Sequence, residues 1–188
     1  MKKILIAFLV LTFVSSTSAA IIKPMITSVH GQPITPVSEI TIGISCTIGF
    51  DIVLVDAGNP LPFELMAMDS KVSATGPGTL DLSQLTWIYN EEGLNYIEEL
   101  APGKQYEVAT LAVNGMNTGI VVDHLLLHCD GPGDVIISVG SSYLQGGSLL
   151  VDCMEYPGDW GSVTVHQIPE PITIAFFGLG GLFLRYRK

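Results

Sequence analysis

Positive charge is scarce in this sequence. The 188 residues contain 8 Lys and Arg against 18 Asp and Glu, which gives a formal net charge of -10. Binding of nucleic acid needs clustered Lys and Arg to neutralise phosphates, so the composition argues against that class of function. At 48% hydrophobic and only 14% charged residues, the chain is also too apolar to be disordered.

The short motifs that mark common catalytic sites are missing as well. The sequence has no Gly-x-Ser-x-Gly elbow for a serine nucleophile and no catalytic-cysteine signature. Adjacent acids, as in Glu91-Glu92 and Glu98-Glu99, are more typical of solvated turns than of a glycosidase pair. We therefore predict that the protein is not an enzyme and uses no cofactor.

The few basic residues are concentrated at the two ends of the chain. Two lysines follow Met1, and Arg185, Arg187 and Lys188 stand at the other end. Residues 21–169 contain three lysines against 17 acidic residues, a net charge of -14. The two ends therefore differ in charge from the middle of the chain, which is acidic. We call this middle part the body.

Residues 1–20 have the three parts of an export signal. The two lysines precede an apolar run, Ile4–Val14, which is followed by small residues. A basic start, an apolar stretch of roughly 7 to 15 residues and a small-x-small site define a secretory signal peptide. The run is shorter than the about 20 residues that span a bilayer. We predict cleavage after Ala19 or Ala20.

The last twenty residues contain three distinct segments in this order: the triplet Pro169-Glu170-Pro171, the apolar run Ile172–Leu184, and a basic cluster. Two prolines keep the triplet extended and remove backbone donors, which suits recognition by a protease. The apolar run is short for a membrane helix, but flanking Arg and Tyr allow it to sit in a thinned bilayer. The basic cluster is expected to remain cytoplasmic.

This combination resembles the PEP-CTERM sorting signal of exported bacterial proteins. The resemblance implies that an exosortase, a membrane-embedded cysteine protease, recognises Pro169, Glu170 and Pro171 and cuts at or near them. It also implies a transient membrane helix with Arg185, Arg187 and Lys188 as its stop cluster. The expected partners are the exosortase, the secretion machinery and the membrane. The expected location is the inner membrane before processing, then the cell surface or extracellular matrix.

Residues 21–168 have the pattern of a single β-rich domain. Apolar residues alternate over Glu39–Asp56, which predicts either one long bent strand or two. A short helical turn is predicted at Asp81–Leu85 or Leu94–Leu100, and a tight turn at Asn114-Gly115. Further strands are predicted at Phe63–Ser73, Leu85–Tyr89, Tyr106–Val113, Ile120–Cys129, Val135–Ser141, Ser148–Asp152 and Gly161–Gln167.

Short strands recurring at about 8 to 12 residues, with Gly and Pro in the turns, indicate an all-β fold. We predict a single β-sandwich of jelly-roll, cohesin-like or immunoglobulin-like type over residues 21–168. An N-terminal signal helix (1–20) and a C-terminal hydrophobic helix (169–188) are expected to flank it.

Three stretches of the body are similar to cohesin-like sandwiches, the nine-stranded jelly rolls of secreted bacterial assemblies. They are Leu65–Asp69, Val108–Leu111 and His128–Val139. Cohesins bind calcium-loaded dockerin modules through one sheet face, so the resemblance implies a binding module and a dockerin partner. It identifies no residues of such a face.

Two functions of the body stay open. The first is a structural or adhesive role in a surface or matrix protein, favoured by the acidity and the sorting tail. The second is a binding module for a dockerin or for extracellular polysaccharide. Trp87, Tyr89, Tyr156 and Trp160 either form a sugar platform or pack in the core and turns.

The histidines and acids do not predict a metal site. His124 and His128 would lie about 13 Å apart on a strand, too far to share a zinc ion. Asp123, Asp130 and Asp134 lie near a Gly-Pro-Gly turn and suit hard cations such as calcium, but no calcium-binding loop is present. A solvated acidic surface is the favoured interpretation.

The sequence contains three cysteines, Cys46, Cys129 and Cys153. Cys129 and Cys153 are the favoured disulfide pair for an exported chain, with Cys46 buried on its strand. All three pairings stay open, and so does a core with three reduced cysteines.

Overall fold

The computed structural model describes residues 21–55, 65–87, 94–116, 119–141, 148–151, 154–157 and 159–169. All the regular elements in these residues are β-strands. The predicted signal segment 1–20 and the chain from Glu170 onward lie outside the described residues.

In chain order the strands are β1 (Ile21–Val29), β2 (Gln32–Val37), β3 (Glu39–Gly43), β4 (Thr47–Val55), β5 (Leu65–Thr75), β6 (Gly78–Asp81), β7 (Thr86–Trp87), β8 (Leu94–Ala101), β9 (Gln105–Met116), β10 (Gly119–Cys129), β11 (Gly133–Ser141), β12 (Ser148–Val151), β13 (Met154–Pro157), β14 (Asp159–Trp160) and β15 (Ser162–Ile168).

The strands form two sheets. The first has the order β14-β1-β4-β10-β6, with β2 beside β1 and β7 beside β10. The second has the order β13-β12-β5-β11-β15-β3, with β9 beside β5 and β8 beside β9. Neighbours are antiparallel except for β1 with β14 and β3 with β15. This architecture confirms the predicted all-β sandwich.

The hydrophobic core lies between the sheets and follows from strand alternation. In β4 every second residue, Ile48, Phe50, Ile52 and Leu54, is buried, as the sequence pattern predicts. These side chains belong to one cluster with buried residues of the second sheet. Because burial of a side chain of this size stabilises by about 1.5 to 3 kcal/mol, the cluster holds the two sheets together. The buried apolar residues of the second sheet are Met68, Val72, Ala74, Val108, Val135, Ile137, Val139, Val163 and Val165.

The long alternating segment after Ser38 is two strands, and they belong to different sheets. β3 lies in the second sheet and β4 in the first. Between them Ser45 has a left-handed φ of 64°, which turns the chain across the edge of the sandwich. We refer to residues 44–46 as the sheet-crossing segment. Further on, Gly49 lies opposite a bulge in β1.

Two segments differ from their local predictions. Of the two segments predicted for a short helical turn, Asp81–Leu85 contains a turn, in which the Leu85 N–H donates to the Leu82 oxygen at 3.1 Å. The other, Leu94–Leu100, is strand β8, because its backbone pairs with β9 along most of its length. The predicted tight turn at Asn114-Gly115 lies inside β9, which extends to Met116 because Met116 pairs with Leu65 of β5. In both places long-range pairing overrides the local propensity.

The turn after β5 depends on one glycine. Gly76 has a φ of 92°, and a Cβ atom there would lie 2.1 Å from the backbone oxygen of Asp134. Only glycine can adopt this φ and also leave room for the Asp134 oxygen without strain. This turn brings the β5–β6 connection against the start of β11.

Candidate functional site

The outer face of the second sheet presents rows of small hydroxyl residues. Ser73 of β5, Ser138 of β11 and Ser162 of β15 lie side by side in register. The Ser73 and Ser138 hydroxyls are 2.9 Å apart. A second row contains Thr75, Ile136 and Thr164, and Ile136 is 43% exposed. We call these six residues the hydroxyl face.

A three-strand ionic contact borders the hydroxyl face at one end. His166 of β15 lies between Asp134 of β11, with Nδ1 2.7 Å from Oδ1, and Glu39 of β3, with Nε2 2.8 Å from Oε1. Hydrogen bonds to Asp134 and then to Glu39 raise the pKa of His166. The imidazole thus contacts two acids of neighbouring strands beside the face.

The opposite end of the hydroxyl face is also ionic. Lys71 of β5 is in register with Glu107 of β9, and Glu107 is in register with Glu98 of β8. The Tyr96 hydroxyl donates to the Glu98 carboxylate. The face is thus an uncharged strip with one exposed apolar side chain. It lies between two borders with charged residues, and acids outnumber bases in these borders.

A second notable group is a pair of carboxyls on the first sheet. Asp123 and His124 of β10 together oppose Asp51 of β4, where the register shifts between Val122 and Leu125. This is a β-bulge, and His124 has a φ of 60°. The His124 N–H donates to Asp123 Oδ1 at 2.6 Å and reaches Asp51 Oδ1 at 3.4 Å.

The bulge changes the acidity of Asp51. Its side chain is only 5% exposed. Burial, followed by the hydrogen bond and negative charge of Asp123, raises the pKa of Asp51 to about 6. Perturbed acids are common at functional sites, but this carboxyl is buried and engaged by neighbouring groups, so the pair has no open position for a substrate.

The histidines that the sequence singled out have separate partners. His124 Nδ1 lies 3.1 Å from Asp123 Oδ2. His128 Nε2 lies 3.5 Å from Asp81 Oδ2, and its Nδ1 lies 3.1 Å from the Thr47 hydroxyl. Within the described ranges, no group of three or more His, Cys, Asp or Glu is arranged to hold a metal ion.

The three acids near the Gly-Pro-Gly turn are also divided among different contacts. Asp123 belongs to the bulge with Asp51. Asp130 accepts a hydrogen bond from the Thr79 hydroxyl at 2.6 Å. Asp134 binds His166. Each carboxylate thus serves a contact of its own.

Two of the four aromatics proposed for a sugar platform pack against the core. Trp87 and Trp160 are half-buried and contact the core cluster. Tyr89 lies outside the described residues, as does the side chain of Tyr156. For the two tryptophans the packing interpretation is therefore the one that the structure supports.

Two of the three cysteines lie in the described part of the chain. Cys46 is half-buried in the sheet-crossing segment, and Cys129 is buried at the end of β10; both carry free thiols. Cys153 lies outside the described residues, so the pairing of Cys129 with Cys153 stays a prediction.

Most of the predicted sorting signal also lies outside the described residues. Only Pro169 is described, directly after β15, while Glu170, Pro171, Arg185, Arg187 and Lys188 are not. In the portion that is described, no helix has the length and apolar character needed to cross a membrane.

Comparison with solved structures identifies the same fold in cohesin modules. A type III cohesin module from the cellulosomal ScaE cell-surface anchoring scaffoldin of Ruminococcus flavefaciens superposes with a TM-score of 0.53 and 11% identity, covering 83% of this chain and 91% of that one. A non-cellulosomal cohesin from the archaeon Archaeoglobus fulgidus gives 0.52 and 9%, covering 85% and 96%. The cohesin module of a Clostridium perfringens family 33 glycoside hydrolase gives 0.51 and 13%, covering 82% and 100%.

No protein-family model and no curated protein sequence matches the chain. The body therefore has a cohesin-like fold, and at these identities the likeness concerns the fold alone.

Sequence reasoning missed Asp51, Glu39 and the bridging role of His166. Asp51 stands at a polar position of an alternating strand, where a solvated side chain is the ordinary expectation. Glu39 and His166 are 127 residues apart in the chain, and their contact depends on the parallel pairing of β3 with β15. No local sequence pattern predicts the burial of Asp51 or the contact of Glu39 with His166.

Proposed function

We propose that this chain is an exported, non-catalytic surface or matrix protein whose sandwich has a structural or adhesive role through the hydroxyl face. The observation that carries the proposal is the form of that face: small residues lie in register across three strands, and each is exposed or partly exposed. Its small hydroxyls lose little conformational entropy on docking and supply both donors and acceptors. The cohesin modules that share the fold are binding modules, which agrees with this role.

The partner that suits the hydroxyl face best is a protein. A protein surface with basic and polar side chains complements the acids at the borders, Asp134, Glu39 and Glu98. A dockerin is one candidate of this kind. Extracellular polysaccharide is the alternative partner, but sugar binding favours flat aromatic surfaces, and the two described tryptophans are packed against the core.

Substitution at the centre of the face tests this proposal. Ser138→Arg places a long charged side chain between Ser73 and Ser162. Thr35→Arg is the matched control, because Thr35 is exposed on β2 of the first sheet. Circular dichroism and thermal melting confirm that both variants fold.

The assays are binding to immobilised dockerins with and without calcium, binding to a glycan array, and self-association by sedimentation. We expect one protein-protein assay to be positive for the wild type, to weaken at least about tenfold in Ser138→Arg, and to be unchanged in Thr35→Arg. Binding on the glycan array alone would favour the polysaccharide alternative. Equal loss in both variants, or no loss in either, would contradict the assigned face.

The route to the surface is the second part of the proposal. We propose that a signal peptidase removes residues 1–20 and that an exosortase cuts at or near Pro169, Glu170 and Pro171. The support is the order of triplet, apolar run and basic cluster Arg185, Arg187 and Lys188 on a chain that begins with an export signal. In the structure β15 ends at Ile168, so cleavage after it leaves every described strand intact.

A further inference from the structure

The ends of β4 and β10 place two cysteines opposite each other. Antiparallel pairing runs from Leu127 with Ile48 to His128 with Thr47. The next pair in the same register is Cys129 with Cys46. The Cys129 N–H donates to the Cys46 oxygen at 2.9 Å, and the Ser45 N–H donates to the Cys129 oxygen at 3.0 Å.

This pattern is that of a G1-type bulge. Ser45 and Cys46 together oppose Cys129, and Ser45 takes the left-handed position with its φ of 64°. Residues directly opposite in a hydrogen-bonded antiparallel pair have Cα atoms roughly 5.5 Å apart and side chains on the same face. Disulfides join Cα atoms about 4.4 to 6.8 Å apart, so the backbone positions suit a bond between the two sulfurs.

We propose that Cys46 and Cys129, which the structure shows as free thiols, form on oxidation a disulfide bond that fastens the sheet-crossing segment to the end of β10. The bond would join the segment between β3 of the second sheet and β4 of the first sheet to a core strand. It would therefore hold the edge where the chain passes from one sheet to the other. Cys129 can form only one such bond, so this pairing excludes the one with Cys153.

The oxidation is a thiol-disulfide exchange with a disulfide oxidant. The Cys46 thiolate attacks the disulfide of the oxidant, forms a mixed disulfide and releases one oxidant thiol. The Cys129 thiolate then attacks the Cys46 sulfur and releases the second oxidant thiol. The two cysteines lose two electrons and two protons, and the oxidant disulfide gains them as two thiols.

Burial sets the order of these steps. Cys129 is buried and Cys46 is half-buried, so Cys46 is the more accessible sulfur for the first attack. Burial, with smaller effects from Cys46 and Asp130, raises the pKa of the Cys129 thiol to about 11. Because the thiolate is the reactive form, we expect the bond to form faster in the partly folded chain than in the reduced native protein.

Peptide mapping of the full chain tests the pairing. The reduced protein is refolded in a buffer of reduced and oxidised glutathione, its remaining thiols are alkylated, and it is cut before aspartates without reduction. The sequence then separates the three cysteines: Cys46 is in a peptide that ends at Phe50, Cys129 in residues 123–129 and Cys153 in residues 152–158.

We expect the first two peptides to be linked, with a mass 2 Da below their sum, and Cys153 to be alkylated. The oxidised chain should melt about 5 to 10 °C higher than the reduced chain. Cys153→Ala should leave the link in place, and Cys46→Ala should remove it. A link from Cys153 to either other cysteine, or no link in this buffer, would overturn the proposal.

Formation of the bond in cells rests on the proposed export, since disulfides persist mainly in oxidising compartments. The refolding assay does not depend on export. A failure of the proposed pairing can therefore be distinguished from a failure of the proposed export. Retention of residues 1–20 with the link formed in glutathione buffer would reject the export and keep the pairing. Their removal without the link in that buffer would reject the pairing and keep the export.

Discussion

The His166 Nε2 atom lies 2.8 Å from Glu39 Oε1, and this contact joins β15 to the parallel edge strand β3. The other ring nitrogen of His166 contacts Asp134 of β11. One imidazole thus connects three adjacent strands at the border of the hydroxyl face. Protonation of the ring allows it to donate to both carboxylates at once.

The first prediction concerns the pH dependence of this contact. The folded-state pKa of His166 is raised above its ordinary value of 6.5. Its stabilising contribution is therefore fully present below that value and is lost as pH rises through the folded pKa. We expect His166→Gln to lower the free energy of unfolding more at about pH 5 than at about pH 9, where the difference should largely disappear.

Urea unfolding at the two pH values measures this effect. His30→Asn is the control, because His30 lies in the exposed turn after β1 with a φ of 50° and Asn tolerates that conformation. A loss of stability in His166→Gln that is equal at both pH values would show that the imidazole acts by packing and not by its charge.

The second prediction concerns the pair Asp51 and Asp123. The sign of the pH dependence is the same as for His166, since the pKa of Asp51 is also raised, to about 6 from 3.8. The folded state binds the proton more tightly, so stability falls as pH rises from about 4 through about 6. Asp51→Asn removes the repulsion and keeps an acceptor for the His124 N–H. We expect it to stabilise the protein by about 1 to 2 kcal/mol at pH 8.

Chemical denaturation of Asp51→Asn at pH 4 and pH 8 checks this expectation. Asp130→Asn serves as the comparison, because Asp130 is exposed and its carboxylate accepts a hydrogen bond from the neutral Thr79 hydroxyl. The gain in the free energy of unfolding should appear only at pH 8 and only in Asp51→Asn. Destabilisation at pH 8 would mean that the ionised carboxylate is required by its neighbours.

The third prediction concerns two glycines. It compares the free-energy cost of a left-handed φ alone with the cost of a left-handed φ combined with a steric clash. Gly31 and Gly76 both have a left-handed φ, but a Cβ at Gly31 meets nothing within 4 Å, whereas one at Gly76 lies 2.1 Å from the Asp134 oxygen. Gly31→Ala should cost about 1 kcal/mol for the conformation alone. Gly76→Ala should cost more than about 2 kcal/mol, because backbone must also move.

Thermal melts of the two alanine variants measure the difference. Equal losses would mean that the turn after β5 relaxes freely away from β11. A larger loss at Gly76 would show that the close approach of the two backbones contributes to the packing of this edge.

The sequence predicts the sandwich because most of its strands alternate strongly. In β4 the inward residues Ile48, Phe50, Ile52 and Leu54 all follow the predicted parity. The change of sheet at Ser45 could not be predicted, because parity continues across it while the backbone turns through a left-handed φ. β8 was missed because its exposed residues have no alternation, and only the pairing with β9 makes it a strand.

The site was less predictable than the fold. Asp123 was singled out as one of three neighbouring acids, but its partner is Asp51, 72 positions earlier, brought beside it by the bulge in β10. Likewise Cys46 becomes the neighbour of Cys129 only through the register of β4 with β10. Sequence patterns report which side of a strand a residue occupies, whereas these contacts depend on register between distant strands.

The most direct test of the central claim is the intact mass of the mature protein from cells with and without the exosortase. The account predicts that the protein from both strains lacks residues 1–20, or 1–19. It predicts that only the strain with the enzyme removes Ile172–Lys188. A mature protein that keeps these residues in the presence of the enzyme would contradict the proposed sorting to the cell surface.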